Sequence, residues 1–185
     1  LNQIMISVVI LSLLFTSLAI RHVRAFAKLF NKEGQDIIEE PVMTNAGIKD
    51  HIIVCGYSLL GQKIVKKLKA TGVNYVAIEH ERQHVKEGHE KGDIVFFGNA
   101  ASKTMLNSLF IKDAIGVIIA IDNDEKIRLI TQTIKNIDPN IKVTVKISHE
   151  SQFEDFEDLH IDAFVHEYEL VARRLIEKAT KCKLK

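Results

Sequence analysis

Cysteine is almost absent from this chain: Cys55 and Cys182 are the only two in 185 residues. That is too few for a disulfide framework, and they read as reduced thiols of a cytosolic compartment. Two prolines and nine glycines exclude collagen-like and low-complexity sequences. An excess of one charge is lacking too, since 25 Lys and Arg stand against 24 Asp and Glu, a formal net charge of +1. Nucleic-acid binding draws on a basic face that releases counterions, so nucleic acid is not expected as a partner. No Tyr-x-x-x-Lys pair is present. The length suits one domain with a real core rather than two, so no second domain remains to bring a substrate to a nicotinamide.

What is present is unevenly distributed. Leu1–Ile20 (LNQIMISVVILSLLFTSLAI) carries no charged residue, and about twenty apolar residues match a bilayer core of about 30 Å. Arg21, His22, Arg24 and Lys28 follow, a basic flank that places the next segment in the cytoplasm. A signal peptide has the opposite order, with its positive charges first. The expectation is a transmembrane helix over residues 1–20, the last one of a longer protein. Residues 21–50 are expected to form a juxtamembrane helix, with Val23, Phe26, Ala27 and Phe30 on one face, and then a linker holding Gly34, Asp36, Glu39, Glu40 and Pro41.

From His51 onward, short β-rich runs alternate with helical stretches. Strands are expected at His51–Cys55, Tyr75–Ile78, Ile94–Phe97, Val117–Ala120, Ile141–Ile147 and Ala163–Val165. Helices are expected at Leu60–Ala70, Arg82–Lys91, Ser102–Leu109, Asp124–Asn136, Ser151–Leu159 and Glu167–Lys181. Continuous apolar strands between helices predict an α/β fold over residues 51–185, a doubly wound, Rossmann-like parallel sheet of six strands.

Ligands of such folds bind at the carboxyl ends of the strands. The first turn, Gly56-Tyr57-Ser58-Leu59-Leu60-Gly61, has the G-x-G-x-x-G form with Ser58 at the second glycine. Gly56 permits a sharp turn, Gly61 allows close packing of helix on strand, and Ser58 narrows the approach of a pyrophosphate. Glu79 closes the second strand about twenty residues on, where a carboxylate accepts the hydroxyls of an adenosine ribose and repels a 2′-phosphate. His80-Glu81-Arg82-Gln83-His84 satisfies H-E-x-x-H, the zinc-peptidase pattern. It stands at the start of a short polar helix broken by Gly88, however, and reads as coincidence. Cys55 reads as a core residue, Asp122-Asn123-Asp124-Glu125 as a helix cap with Asp122 at the crevice, and Arg173-Arg174 as a solvated or subunit-contact face.

HIIVCGYSLLGQKIVKKL, with YVAIEHER, VFFGNA and VIIAIDN, resembles the cytoplasmic nucleotide-binding domains that regulate potassium transport. Those of monovalent cation:proton antiporters of the glutathione-gated efflux type are the most similar, and SVVILSLLFTSLAI is similar to the last membrane helix of such antiporters. The resemblance implies a non-enzymatic regulatory domain that binds an adenine nucleotide, NAD(H) or AMP-like, to control transport. Its partners would be the antiporter's membrane domain and a second copy of itself, at the inner membrane with the globular part in the cytoplasm. The implied binding residues are Gly56, Tyr57, Ser58, Leu60 and Gly61 in the turn, and Glu79 and His80 after the second strand. Gly98, Asn99 and Ala100 follow at the third, where the family has Gly-Asp-Ala, with Ile121 and Asp122 at the fourth. Leu59, Lys146 and Ser148 stand where glutathione-gated members carry arginines. A trianionic peptide needs such guanidinium forks, so glutathione control is not expected. Alternatives are a membrane-anchored NAD-dependent oxidoreductase and a dimerisation module with a vestigial site.

Overall fold

The computed structural model describes residues 3–13, 15–16 and 48–181. The chain divides into two compact units, Leu1–Ile38 and Glu39–Lys185. In the first, residues 3–13 and 15–16 are helical (α1), with Ile6, Ile10 and Leu13 exposed. Among the described residues no helix is long and apolar enough to cross a membrane. The span expected over Leu1–Ile20 falls partly, and the juxtamembrane helix and most of the linker fall wholly, outside the described residues, as does Cys182.

The second unit is built on six strands: β1 (His51–Cys55), β2 (Asn74–Glu79), β3 (Val95–Phe97), β4 (Ala114–Ile119), β5 (Val143–Ile147) and β6 (Ala163–His166). They form one parallel sheet in the order β3-β2-β1-β4-β5-β6, so strand order reverses beside β1 as in a doubly wound fold. The helices are α2 (Leu59–Ala70), α3 (Arg82–Glu90), α4 (Lys103–Ser108), α5 (Asp124–Ile137), α6 (Ser151–Asp155) and α7 (Glu167–Lys181). Right-handed crossovers place those running toward β3 on one face and those running toward β6 on the other.

Burial follows from position in the sheet. In the central β1, Ile53, Val54 and Cys55 are fully buried, and in its neighbour β2 residues Tyr75 to Glu79 are buried. β5 alternates buried and half-buried residues, while the edge strand β6 is half open. α5 shows how local sequence sets an element. Asn123 Oδ1 accepts from the Lys126 N–H at 2.9 Å, capping the helix. Asp124 and Glu125 in the first turn and Lys135 in the last complement its dipole. Ile127, Ile130, Thr131 and Ile134 bury one face at a spacing of three and four.

Ser151–Leu159 is not one helix. α6 stops at Asp155, and a 3-10 turn covers Glu157–Leu159. Phe156 and Leu159 are both buried, and a 3-10 turn brings residues three apart into line. β5 begins two residues later than expected and β4 three residues earlier. Ile141 is buried without joining the ladder.

Candidate functional site

The chain leaves β1 through Gly56, whose φ is +100°, a conformation that side chains disfavour. A Cβ at Gly56 would also lie 3.0 Å from the Ala120 carbonyl oxygen and from Ile121 Cγ1. One turn into α2, a Cβ on Gly61 would stand 2.1 Å from the Gly56 carbonyl oxygen. Both glycines are therefore fixed by contact: one lets the turn pass β4, the other lets α2 sit on the turn. Ser58 is the N-cap of α2 by position, but its side chain makes no capping hydrogen bond, so its hydroxyl is free beside the N–H groups of the helix start.

Glu79 ends β2 against this turn and is only 4% exposed. Its Oε2 accepts from the Tyr57 N–H at 2.7 Å. Its Oε1 accepts from the N–H groups of His80 at 2.7 Å and Glu81 at 2.9 Å. Burial alone would raise the pKa of this carboxyl. The Glu81, Tyr57 and His80 N–H groups outweigh it and hold the value below the ordinary 4.5. A carboxylate has about four lone-pair sites, so three N–H bonds leave one on Oε2 for a ligand hydroxyl. His80 Nδ1 lies 2.9 Å from Oε1 and His84 Nδ1 3.7 Å from Oε2.

Two adjoining clefts open here. The larger, about 530 Å³, is lined by Gly56, Glu79, His80, Gly98, Asn99, Ala100 and Ile121, and by Asn123, Glu125, Lys126, Leu129 and Ile130 of the α5 start. The smaller, about 120 Å³, shares Gly56, Glu79, His80 and Ile121 and adds Ser58, Glu81, His84 and Asp122. The shared residues make them one crevice at the carboxyl ends of β1, β2 and β4. The walls combine apolar surface from Ile121, Leu129 and Ile130 with a buried carboxylate, a composition suited to small polar ligands with an apolar ring. Gly98 donates its N–H to the Glu79 carbonyl at 2.9 Å, and Asn99 Oδ1 accepts from Ala101 N–H at 2.9 Å, which fixes the β3 side of the crevice.

The structure thus brings together nine of the twelve residues singled out in the sequence. Tyr57 contributes only its N–H: its ring is fully buried, and its hydroxyl donates to Asp93 away from the crevice. Leu60 and Gly61 line neither cleft. The contribution of Lys126, Leu129 and Ile130 was missed. A signal existed, since Leu129 is apolar yet lies off the buried face of α5, and it is 49% exposed in the cleft.

In the H-E-x-x-H segment, His80 precedes α3 and Glu81 is its N-cap, so that of the two histidines only His84 is helical and they are not presented one turn apart on a helix. Among the described residues no group of three or more His, Cys, Asp or Glu could hold a metal ion. Cys55 is fully buried, and burial pushes its thiol up to about 12, which suits a core residue rather than a nucleophile. Lys146 pairs with Asp122 and with Glu167 at 2.9 Å.

Comparison with known proteins places this geometry. Potassium channel protein 1 of Methanocaldococcus jannaschii is 31% identical over 101 residues, covering 54% of this chain and 30% of the channel. The glutathione-regulated potassium-efflux system protein KefC of Escherichia coli O139:H28 is 25% identical over 115 residues, 62% of this chain and 17% of that protein. The chain therefore spans less than a third of either relative's length. Among solved structures, the Shewanella denitrificans Kef carboxy-terminal domain in its AMP-bound form superposes with a TM-score of 0.61 at 26% identity, covering 72% of this chain and 81% of that one. The TrkA-N domain family matches residues 52–167, from β1 through all six strands to the first residue of α7. The chain belongs to the TrkA-N domain family.

Proposed function

We propose that residues 51–185 are the ligand-sensing domain of a potassium (monovalent cation):proton antiporter, and that they control transport by binding an adenine nucleotide. The observation that carries this reading is the buried Glu79 carboxylate, anchored by three backbone N–H groups at the mouth of the Gly56–Gly61 turn. The adenine lies between Ile121, Leu129 and Ile130. A ribose hydroxyl donates to Glu79 Oε2, and the phosphate meets Ser58 and the α2 start. The AMP-bound Kef domain, similar in fold and sequence, supports this ligand class. The domain binds without turnover, a reading supported by its likeness to the regulatory domain of a potassium-efflux system.

The membrane partner is the rest of the antiporter, with the uncharged run Leu1–Ile20 crossing the inner membrane and the sensor in the cytoplasm. The homodimer contact is α7, whose Tyr168, Val171, Leu175 and Ile176 form an exposed apolar stripe at helical spacing. Lys146, already paired with two carboxylates, leaves glutathione without a cationic fork. The channel relative favours a second reading, the same sensor on a potassium channel. The test is the full-length protein in proteoliposomes with AMP, ADP or NAD. Nucleotide-dependent potassium movement that carries protons the other way supports the antiporter, conductance without proton exchange supports the channel, and transport indifferent to every nucleotide refutes the sensor.

A further inference from the structure

Resting on that nucleotide-binding reading, we infer that the site takes an adenosine mono- or diphosphate and rejects dinucleotides, because an Asp122–Lys146–Glu167 bridge closes the half of the crevice that a second nucleoside needs. In a doubly wound sheet, a dinucleotide lies across the carboxyl ends on both sides of the point where strand order reverses. Here the open space runs from the β3 end across β1 to the end of β4 and stops there. Both clefts are lined from the β1, β2, β3 and β4 ends and the α5 start, and among the described residues none from β5 or β6 lines them.

Beyond the β4 end, the edge of the sheet carries protein charge. Asp122 follows β4, Lys146 lies on β5 and Glu167 follows β6, so three neighbouring strands each deliver one member to the same edge. Lys146 Nζ donates to Asp122 and to Glu167 Oε2 at 2.9 Å, and its side chain is only 12% exposed. Asp122 is 80% and Glu167 43% exposed, so the obstacle to a second ribose is chiefly the mostly buried Lys146 side chain and its bond to Glu167.

The glycine turn points the same way. The second glycine of the dinucleotide fingerprint lets the backbone approach a pyrophosphate closely, and Ser58 stands there instead. A terminal phosphate tolerates the added side chain and gains its uncommitted hydroxyl. It also carries more charge than either phosphate of a diester-linked pyrophosphate, so the N–H groups of α2 favour it.

The experiment is calorimetric titration of the 185-residue chain with AMP, ADP, ADP-ribose and NAD. AMP and ADP are expected to bind, with ADP-ribose and NAD at least about ten-fold weaker, the loss appearing when the second ribose is added. In Lys146→Ala/Glu167→Ala the gap should narrow to about three-fold through tighter NAD binding, with AMP affinity unchanged. NAD binding as tightly as AMP in the wild type overturns the inference, as does a folded double variant with an unaltered gap. If circular dichroism shows the double variant unfolded, the four-ligand series on wild type decides alone. If all four ligands fail, the nucleotide reading itself falls, an outcome distinct from dinucleotides binding as well as AMP.

Discussion

Glu79 illustrates how one buried charge can be held ready for a ligand. Its carboxylate is nearly inaccessible yet ionised, because Tyr57, His80 and Glu81 donate three backbone N–H groups to it. The folded pKa lies below the ordinary 4.5. Its contribution to stability is therefore fully present above that value and is lost as pH falls through the folded pKa. Denaturant melts from pH 6 down to pH 3 should show wild type losing stability more steeply than Glu79→Gln in the acid range, and parallel slopes would contradict the assignment. Gly61 makes a second claim at this scale. A side chain there meets the Gly56 backbone oxygen at 2.1 Å, and overpacking of that kind costs about 1–3 kcal/mol or more. Gly61→Val should lower the urea midpoint by a corresponding amount; an unchanged midpoint would mean that α2 does not rest on the turn.

At the scale of elements, strands and helices were legible wherever apolar period and flanking punctuation agreed. His51–Cys55 and Glu167–Lys181 match the expected bounds, and Asn123 caps α5 where the acidic run signalled a helix start. Asn123→Ala should cost about 1 kcal/mol of stability in a chemical melt, and no loss would mean that Asp124 has taken over the cap. The division of Ser151–Leu159 was not legible, because it depends on packing against α5, where Arg128 lies over the Phe156 ring and pairs with Asp158, rather than on local propensity. The same limit applied to the site. The glycine turn and Glu79 were readable from motif spacing, whereas His80, Gly98, Asn99, Ala100 and Ile121 followed only from the family resemblance. The α5 wall, with Leu129 and Ile130, reaches the crevice only through the β4–α5 connection. Tyr57 divides between two surroundings: its N–H faces Glu79, whereas its ring is buried and its hydroxyl donates to Asp93.

Taken as a molecule, residues 51–185 join a closed core to two open features, the crevice and the α7 stripe. Leu175 and Ile176 are 65% and 64% exposed, and the proposed homodimer would bury them. Sedimentation of Leu175→Glu/Ile176→Glu should show a monomer where wild type sediments as a dimer, and identical profiles would place the homodimer contact elsewhere. In the proposed antiporter, a dimer joined through α7 would couple ligand binding in the crevice to the proposed membrane partner. That coupling has meaning only if the crevice binds its ligand through Glu79. Calorimetric titration of AMP into wild type and Glu79→Ala is the most direct test. Wild type should give a saturable isotherm with one site per chain. Loss of one charge-assisted hydrogen bond, worth about 1.5–3 kcal/mol, should weaken Glu79→Ala by about ten-fold or more. No heat with wild type, or equal affinity in the two proteins, would contradict the account.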